Sequence, residues 1–406
     1  MALYNYNQNC FVPILGMIDD TLGMSVCGKD SVELNAFINS TIQSTKLYFN
    51  TLKCHKIHIG PRKDECPVLK VHGEEMKDSV AEKYLGDIVS AKGNDENIKS
   101  RRKTGFQAMS EMMSVLKEVA AGFYVSIGII LRDAILVSKL LLNSEVWHGL
   151  TVKQTDSLEQ LDRIYLRNIL RAHPKVGLEC IYIDAGKLPL KYHIKFRRMM
   201  YLWQILHLEK TELVSRIFTS QKLEPKFGDW VKSVEKDKSD LLIDMDDSDI
   251  ARQSKNKFRN YVKSKVKSLA THDLKEIKQK HSKSSKMELK NLVTAKYLKD
   301  PRLTKSEQQL LFSLRSRTFD VKKNFENQYK DVLCSTCRLF PETQEHLLQC
   351  PEIIKKFNVV NVKQSEVNAD DIYSHIEKQI KIVKIFTFVL EIRKQLMNKE
   401  DLQLDS

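Results

Sequence analysis

Glycine and proline are scarce, with 14 and 9 residues in a chain of 406. Both residues interrupt regular structure and form turns, so their scarcity favours long helices over a turn-rich sandwich. Hydrophobic residues make up 42% of the chain, which indicates globular domains rather than disorder. A chain of this length can hold two or three domains.

Features of secreted and membrane proteins are also lacking. Residues 1–10 are polar and show no basic segment followed by an apolar run, so they do not resemble a signal peptide. The apolar stretch 120–142 is interrupted by Arg132, Asp133 and Lys139, which predicts a buried helix rather than a membrane span. The first five of the eight cysteines show no paired spacing, as expected for free thiols in a reducing compartment. We therefore expect an intracellular protein of the nucleus or cytoplasm, neither secreted nor bound to a membrane.

Positive charge is abundant: 66 lysines and arginines against 52 acidic residues give a net charge of +14. Such a surplus suits a polyanionic partner, either nucleic acid or an acidic membrane surface. Charge alone does not choose between the two.

The pattern of apolar residues predicts a mostly α protein with a small α+β unit at its N-terminus. Short apolar runs over residues 1–92 indicate strands and one helix, and helical periodicity then continues through residues 93–219. A charged, poorly periodic segment follows and is typical of a linker. The expected segments after residue 219 are a linker at 220–250, a basic helical region at 251–330, a cysteine-rich module at 331–352 and C-terminal helices at 353–406.

The cysteine-rich module has the spacing of a zinc site. Cys334 and Cys337 form a close pair, and His346 and Cys350 lie four residues apart, on one face of a helical turn. Zinc favours four sulfur or nitrogen ligands arranged in this way, with close pairs at both ends of a short loop. The motif, in the text CSTCRLFPETQEHLLQC, predicts a structural Zn²⁺ ion. The alternative is two unrelated pairs in a helical region.

Two adjacent acids form a second candidate site. Residues 12–27 read as a strand, a turn and a strand, with Asp19 and Asp20 at the tip. Clustered carboxylates of this kind can hold two magnesium ions for phosphoryl transfer. A solvated hairpin tip is the alternative, and the acids alone favour it.

The motifs that follow these acids resemble a known family. The order Ile18-Asp19-Asp20, then Asn50 to Lys53, then Tyr84-Leu85-Gly86 resembles the end of a reverse-transcriptase palm. The later text LRDAILVSKLLLNSEVW and LEQLDRIYLRNIL is similar to the helical thumb of non-LTR retrotransposon polymerases. Many members of that family carry a Cys-Cys-His-Cys motif after the thumb, as here.

The resemblance implies a role for each matching residue. In an intact relative Asp19 would be a ligand of the catalytic Mg²⁺, with Asp20 its neighbour in the same acidic cluster. Lys53 would lie near the incoming triphosphate, and Tyr84, Leu85 and Gly86 would contact the primer. An RNA template and a DNA primer are the implied partners. The family's first catalytic aspartate and fingers lie upstream of the Asp-Asp hairpin, which here follows only about 18 residues. We therefore expect a truncated RNA-directed DNA polymerase without activity of its own.

Basic residues supply candidate contacts to the nucleic-acid backbone. One group opens the thumb-like region, and a second lies in KNKFRNYVKSKVK, where cations alternate with Phe258 and Tyr261 at helical spacing. The aromatics would either stack on bases or form the buried stripe of an amphipathic helix. The candidate phosphate contacts are Arg101, Arg102, Lys103, Lys255, Lys257, Arg259 and Lys263. A non-enzymatic nucleic-acid-binding or interaction protein derived from a retroelement is the alternative function.

Overall fold

The computed structural model describes most of the chain between residues 14 and 404. The described ranges are 14–17, 20–25, 28–46, 48–59, 67–84, 86–91, 93–225, 229–280, 286–287, 289, 292–357 and 368–404. For residues 14–17, 20–21 and 396–404 the backbone alone is described.

Helices dominate the structure, with 65% of residues in helix and 6% in strand. The prediction of a mostly helical fold with a few short strands near the N-terminus is therefore confirmed. The α-helices are α1 Gly28–Thr45, α2 Asp95–Val115, α3 Tyr124–Leu131, α4 Val137–Leu140, α5 Val152–Leu170, α6 Leu178–Ala185, α7 Leu190–Leu206, α8 Leu213–Leu223, α9 Trp230–Asp240, α10 Asp247–Arg252, α11 Lys255–Lys280, α12 Lys305–Arg315, α13 Gln344–Gln349, α14 Pro351–Phe357 and α15 Ile376–Leu404.

The described strands form four two-stranded pairs. The strands are β1 Ile14–Met17, β2 Asp20–Gly23, β3 His55–Ile57, β4 Lys70–Val71, β5 Glu74–Glu75, β6 Lys77–Ser79, β7 Ala81–Tyr84 and β8 Asp87–Ser90. Strands β1–β2, β4–β5 and β7–β8 pair antiparallel, whereas β3 pairs with β6 in parallel. The predicted hairpin around the two acids is thus present as β1–β2, and β7–β8 form a second antiparallel hairpin.

The chain divides into two compact units. Unit 1 comprises Met1–Thr104, Leu140–Leu158 and Ile194–Lys263, and unit 2 comprises Gly105–Lys139, Glu159–His193 and Ser264–Ser406. The division into six consecutive segments stays a prediction.

Unit 1 contains a buried ionic cluster on α9. Asp237 is 3% exposed and accepts hydrogen bonds from Lys195, at 2.8 Å, and from Arg198. Arg198 also donates to the carbonyl oxygen of Trp147 at 2.8 Å. The segment predicted as a linker therefore holds a helix whose charged residue is buried by partners distant in sequence. The poor apolar periodicity of residues 220–250 did not indicate a helix with a buried charged residue.

Unit 2 contains the apolar stretch around Arg132. The guanidinium of Arg132 is fully buried and makes two hydrogen bonds to Asp162, at 2.6 and 2.7 Å. In the described part of the chain, the helical stretch Ala121–Leu140 is long and apolar enough to cross a membrane by length and composition, and 39% of its 18-residue apolar window is buried. A core helix has the same properties, and a paired internal arginine suits a core. That this stretch forms a buried helix rather than a membrane span stays a prediction.

Candidate metal centre

A short turn brings the first two candidate ligands together. The amide of Cys334 donates to the carbonyl of Phe340 at 2.7 Å, and the amide of Glu342 donates to that of Val332 at 2.7 Å. These two bonds close the loop that carries Cys337. Within it, the amide of Arg338 donates to the carbonyl of Cys334 at 3.0 Å, and Arg338 adopts a φ of +58°. The loop therefore turns back sharply and directs both thiols to one side.

Helix α13 supplies the other two candidate ligands. Thr343 caps the helix, and its hydroxyl accepts a hydrogen bond from the amide of His346 at 2.9 Å. Cys350 is the residue that caps the C-terminus of α13, and Pro351 begins α14 directly afterwards. His346 and Cys350 are one helical turn apart, so both face the cysteine loop.

The four side chains converge on one point. The Sγ atoms of Cys334 and Cys350 lie 4.0 Å apart, and Sγ of Cys337 lies 3.3 Å from Nε2 of His346. All four ligand atoms lie within 4.8 Å of one another. In a tetrahedral zinc site the sulfur–sulfur edge is about 3.8 Å and the sulfur–nitrogen edge about 3.6 Å, from the usual bond lengths. The cluster can therefore hold a metal ion with small adjustments.

Hydrogen bonds favour a thiolate at Cys334. A hydrogen bond from the thiol of Cys350, together with those from the amides of Cys337 and Thr336, lowers the pKa of Cys334 despite its burial. Donation to Cys334, together with burial, raises the pKa of Cys350. A thiolate is the form that binds a metal ion, and three sulfurs with one imidazole suit a soft or borderline ion. Mg²⁺ prefers oxygen ligands and does not suit this cluster.

A buried carboxylate supports the cysteine loop. Glu342 is fully buried, and its carboxylate accepts hydrogen bonds from the amide of Ser335, at 2.7 Å, and from Arg393 on α15, at 2.6 Å. The spacing of cysteines and histidine did not point to Glu342 or Arg393. The Thr343 cap is a residue that sequence reasoning missed, although threonine before a helix is a recognisable signal.

The candidate polymerase residues fall partly outside the described residues. Asp19 and Leu85 are among the residues that the structure leaves undescribed. Asp20 begins β2 and pairs with Met17 across the hairpin. Lys53 is exposed and ends a 3₁₀ turn, Thr51–Lys53, that Asn50 caps before β3. The catalytic roles of Asp19, Asp20 and Lys53 stay a prediction.

The second hairpin contains the candidate primer contacts. Tyr84 pairs with Asp87 across the turn, and Gly86 has a φ of +89°, which glycine adopts without strain. Arg101 is only 5% exposed, and its guanidinium donates to the carbonyl of Gly86, at 2.7 Å, and to Asp87. A phosphate contact by Arg101 would therefore replace its ion pair with Asp87. A pocket of about 320 Å³ beside this hairpin is lined in part by Tyr84, Asp87 and Trp147.

The remaining basic candidates lie on α2 and α11. Arg102 donates to the carbonyl and hydroxyl of Ser157, at 2.8 and 2.7 Å, whereas Lys103 is exposed. On α11, Phe258 is fully buried and therefore cannot stack on a base as it stands. The four cations of the α11 segment, which we call the α11 cations, are exposed: Lys255, Lys257, Arg259 and Lys263.

Comparison of the chain with models of protein families, with curated proteins and with solved structures finds no match. The likeness to reverse transcriptases therefore depends on the sequence motifs and stays a prediction.

Proposed function

We propose that this chain binds nucleic acid through phosphate contacts and that a structural zinc ion stabilises its cysteine-rich module. The exposure of the α11 cations carries the proposal. Among the described residues, none of these four cations forms an ion pair, whereas many other lysines and arginines of the chain do. Four exposed positive charges within nine positions of one helix, on a chain of net charge +14, match a polyanion.

The zinc part of the proposal follows from the ligand set. Three cysteines and one histidine, within 4.8 Å of one another, form a closed set of four with no position left for a substrate. A closed set is typical of a structural rather than a catalytic ion. The ion would join the cysteine loop to α13.

We further propose that the chain corresponds to the palm end, thumb and zinc module of a non-LTR retrotransposon RNA-directed DNA polymerase. The support is the ordered set of motifs, together with a hairpin at each of the two expected places, β1–β2 and β7–β8. An RNA template and a DNA primer are the proposed ligands. Magnesium binding by Asp19 and Asp20 depends on the family resemblance alone.

A salt titration tests nucleic-acid binding. Each phosphate that a cation neutralises releases counterions, so affinity falls as salt rises, and the slope counts the contacts. Replacing Lys255, Lys257, Arg259 and Lys263 together by alanine should weaken binding to two unrelated RNAs equally and flatten the slope by roughly one unit per contact. The interaction-protein alternative predicts nearly unchanged affinity, since those side chains would only be solvated.

A variant of equal charge provides the control. Lys330, Lys356, Lys384 and Lys394 are exposed and lie outside the α11 segment. Their joint replacement by alanine removes the same total charge and should change the slope much less. Equal effects of the two variants would show that only net charge matters and would contradict a defined α11 surface.

A further inference from the structure

A stacked aromatic pair lies at the end of α7, in unit 1. The rings of Trp203 and His207 have centroids 3.8 Å apart and an interplanar angle of 29°. Nδ1 of His207 lies 2.8 Å from the carbonyl oxygen of Trp203, which fixes the imidazole on the indole. His207 is exposed although one face of its ring lies on Trp203. The other face is therefore open to a further planar group.

The aromatic pair adjoins the start of α11. The indole Nε1 of Trp203 donates to the carbonyl of Gln253 at 2.9 Å, two residues before the helix begins. Nζ of Lys255 lies 5.9 Å from the centroid of the indole ring. The pair is thus held beside the first of the α11 cations.

Helical geometry arranges three of these cations in a row. Lys255, Arg259 and Lys263 are spaced four residues apart, so they lie along one side of α11 at intervals of about 6 Å. Lys257 lies two residues from both Lys255 and Arg259 and therefore points toward the opposite side of the helix. Lys255, the first cation of the row, therefore lies beside the Trp203–His207 pair.

We propose that the Trp203–His207 pair and the row Lys255, Arg259 and Lys263 form a binding site for unpaired nucleic acid. A base would stack on the open face of His207, and the following phosphates would lie along the row. The inference deepens the proposed function and rests on it, because it names the single strand as the form that is bound.

The geometry favours a single strand over a duplex. Base faces are hidden inside a duplex and become available for aromatic stacking only when the bases are unpaired. Combining an aromatic platform with a cationic track is the usual way to bind single strands without sequence preference. The acidic Glu209 follows His207 by two residues, so the backbone is expected along α11 rather than along that loop.

The test compares two probes, a fluorescein-labelled oligoadenylate of about 20 nucleotides and an RNA duplex of equal length. The single strand is longer than the about 4–16 nucleotides that one OB fold covers. The full chain should bind the single strand more tightly. His207→Ala should weaken single-strand binding about five- to tenfold, the effect of losing one stacked base, and leave duplex binding unchanged. His207→Phe keeps a stacking face and should restore most of the affinity. The salt slope should be the same in both His207 variants, because neither removes a phosphate contact.

The row is tested by Arg259→Ala, which should flatten the salt slope for the single strand. Lys275→Ala removes the same charge near the other end of α11 and should leave the slope as it is. Equal effects of Arg259→Ala and Lys275→Ala, or no effect of His207→Ala on a chain that does bind RNA, would overturn the inference and leave the proposed function standing. A wild-type chain that binds neither probe would overturn both. Circular dichroism of each variant excludes loss of fold, which is not expected because His207 and Arg259 are exposed.

Discussion

The half-buried Arg393 and the fully buried Glu342 form an ion pair across 51 residues of sequence, with Nη2 of the arginine 2.6 Å from Oε1 of the glutamate. The same carboxylate accepts the amide of Ser335 at 2.7 Å, in the turn between the two cysteine ligands. Arg393 on α15 is therefore linked to the cysteine loop through the carboxylate of Glu342, which it stabilises. The candidate metal centre depends on a contact that lies outside its own motif.

Arg393→Met should lower the free energy of unfolding by about 3–5 kcal/mol, because it leaves the Glu342 carboxylate buried without its cation. Adding Glu342→Gln should recover much of this loss, since the amide is neutral and its oxygen can still accept from Ser335. Urea denaturation followed by circular dichroism measures both variants. Lys394→Met, at the exposed neighbouring position, should change stability by no more than about 0.5 kcal/mol. A small loss for Arg393→Met and a further loss in the double variant would contradict the stabilising role of Arg393.

Protein purified without chelators should contain about one zinc ion per chain, because the four ligand side chains form one closed site. Replacing Cys337 and Cys350 together by serine should abolish zinc binding and lower the unfolding temperature of the module. Metal analysis by mass spectrometry gives the stoichiometry and also identifies any other ion. Cys54→Ser is the matched control, since Cys54 is a free thiol of unit 1 and is not one of the four candidate ligands. Zinc content that survives the double substitution would rule out this ligand set.

Local patterns allowed a good part of the fold to be predicted. The apolar pattern predicts helices through residues 93–219, and this region contains α5 at Val152–Leu170 and α7 at Leu190–Leu206. Both helices show clear apolar periodicity, which a window of sequence contains in full. The cysteine cluster was predicted for the same reason, because its ligands lie within 17 consecutive positions.

Contacts between distant residues could not be predicted. The ion pair of Arg393 with Glu342 and the burial of Asp237 by Arg198 depend on how helices pack. A short stretch of sequence does not show which helices will pack together. Trp203 and His207 belong to none of the motifs that the sequence analysis singled out, yet the two rings stack beside Lys255. Phe258 shows the reverse: its spacing suited either a stacking platform or a buried stripe, and the fold selects the buried stripe.

Glu159→Gln should make the stability of unit 2 less dependent on pH. Burial raises the pKa of Glu159, against a hydrogen bond from the amide of Lys191 that lowers it. A raised carboxyl pKa means that the folded state holds its proton to higher pH than the unfolded state does. Its contribution to stability is therefore fullest below the unfolded pKa and is lost as pH rises through the folded value. The slope from this one group is at most about 1.4 kcal/mol per pH unit.

Urea denaturation at several values between about pH 4.3, where an unperturbed glutamate titrates, and about pH 7 measures the effect. Glutamine cannot ionise but keeps the oxygen that accepts from Lys191, so the decline attributable to residue 159 should disappear. Glu391→Gln, at an exposed position on α15, should leave the pH dependence as in the wild type. If both variants follow the wild-type curve, the carboxyl of Glu159 titrates normally in the fold.

Gly186→Ala should destabilise the protein far more than Gly149→Ala, although both glycines have nearly the same backbone conformation, with φ of +64° and +59°. A Cβ atom at position 186 would lie 1.9 Å from the amide nitrogen of Thr294, whereas nothing lies within 4 Å of one at position 149. The neighbouring chain cannot easily move away, because Thr294 donates to the carbonyl of Ala185 at 2.9 Å and the amide of Ala295 donates to that of Asp184 at 2.8 Å.

The left-handed conformation alone costs alanine about 1–2 kcal/mol, which is the loss expected for Gly149→Ala. Overpacking adds about 1–3 kcal/mol at position 186, for a total of about 2–5 kcal/mol. Chemical denaturation of the two variants side by side measures the difference, which isolates the steric contribution because the backbone strain is common to both. Equal losses would mean that residues 294–295 move to accommodate the added methyl group. That result would contradict the claim that they are packed firmly against the end of α6.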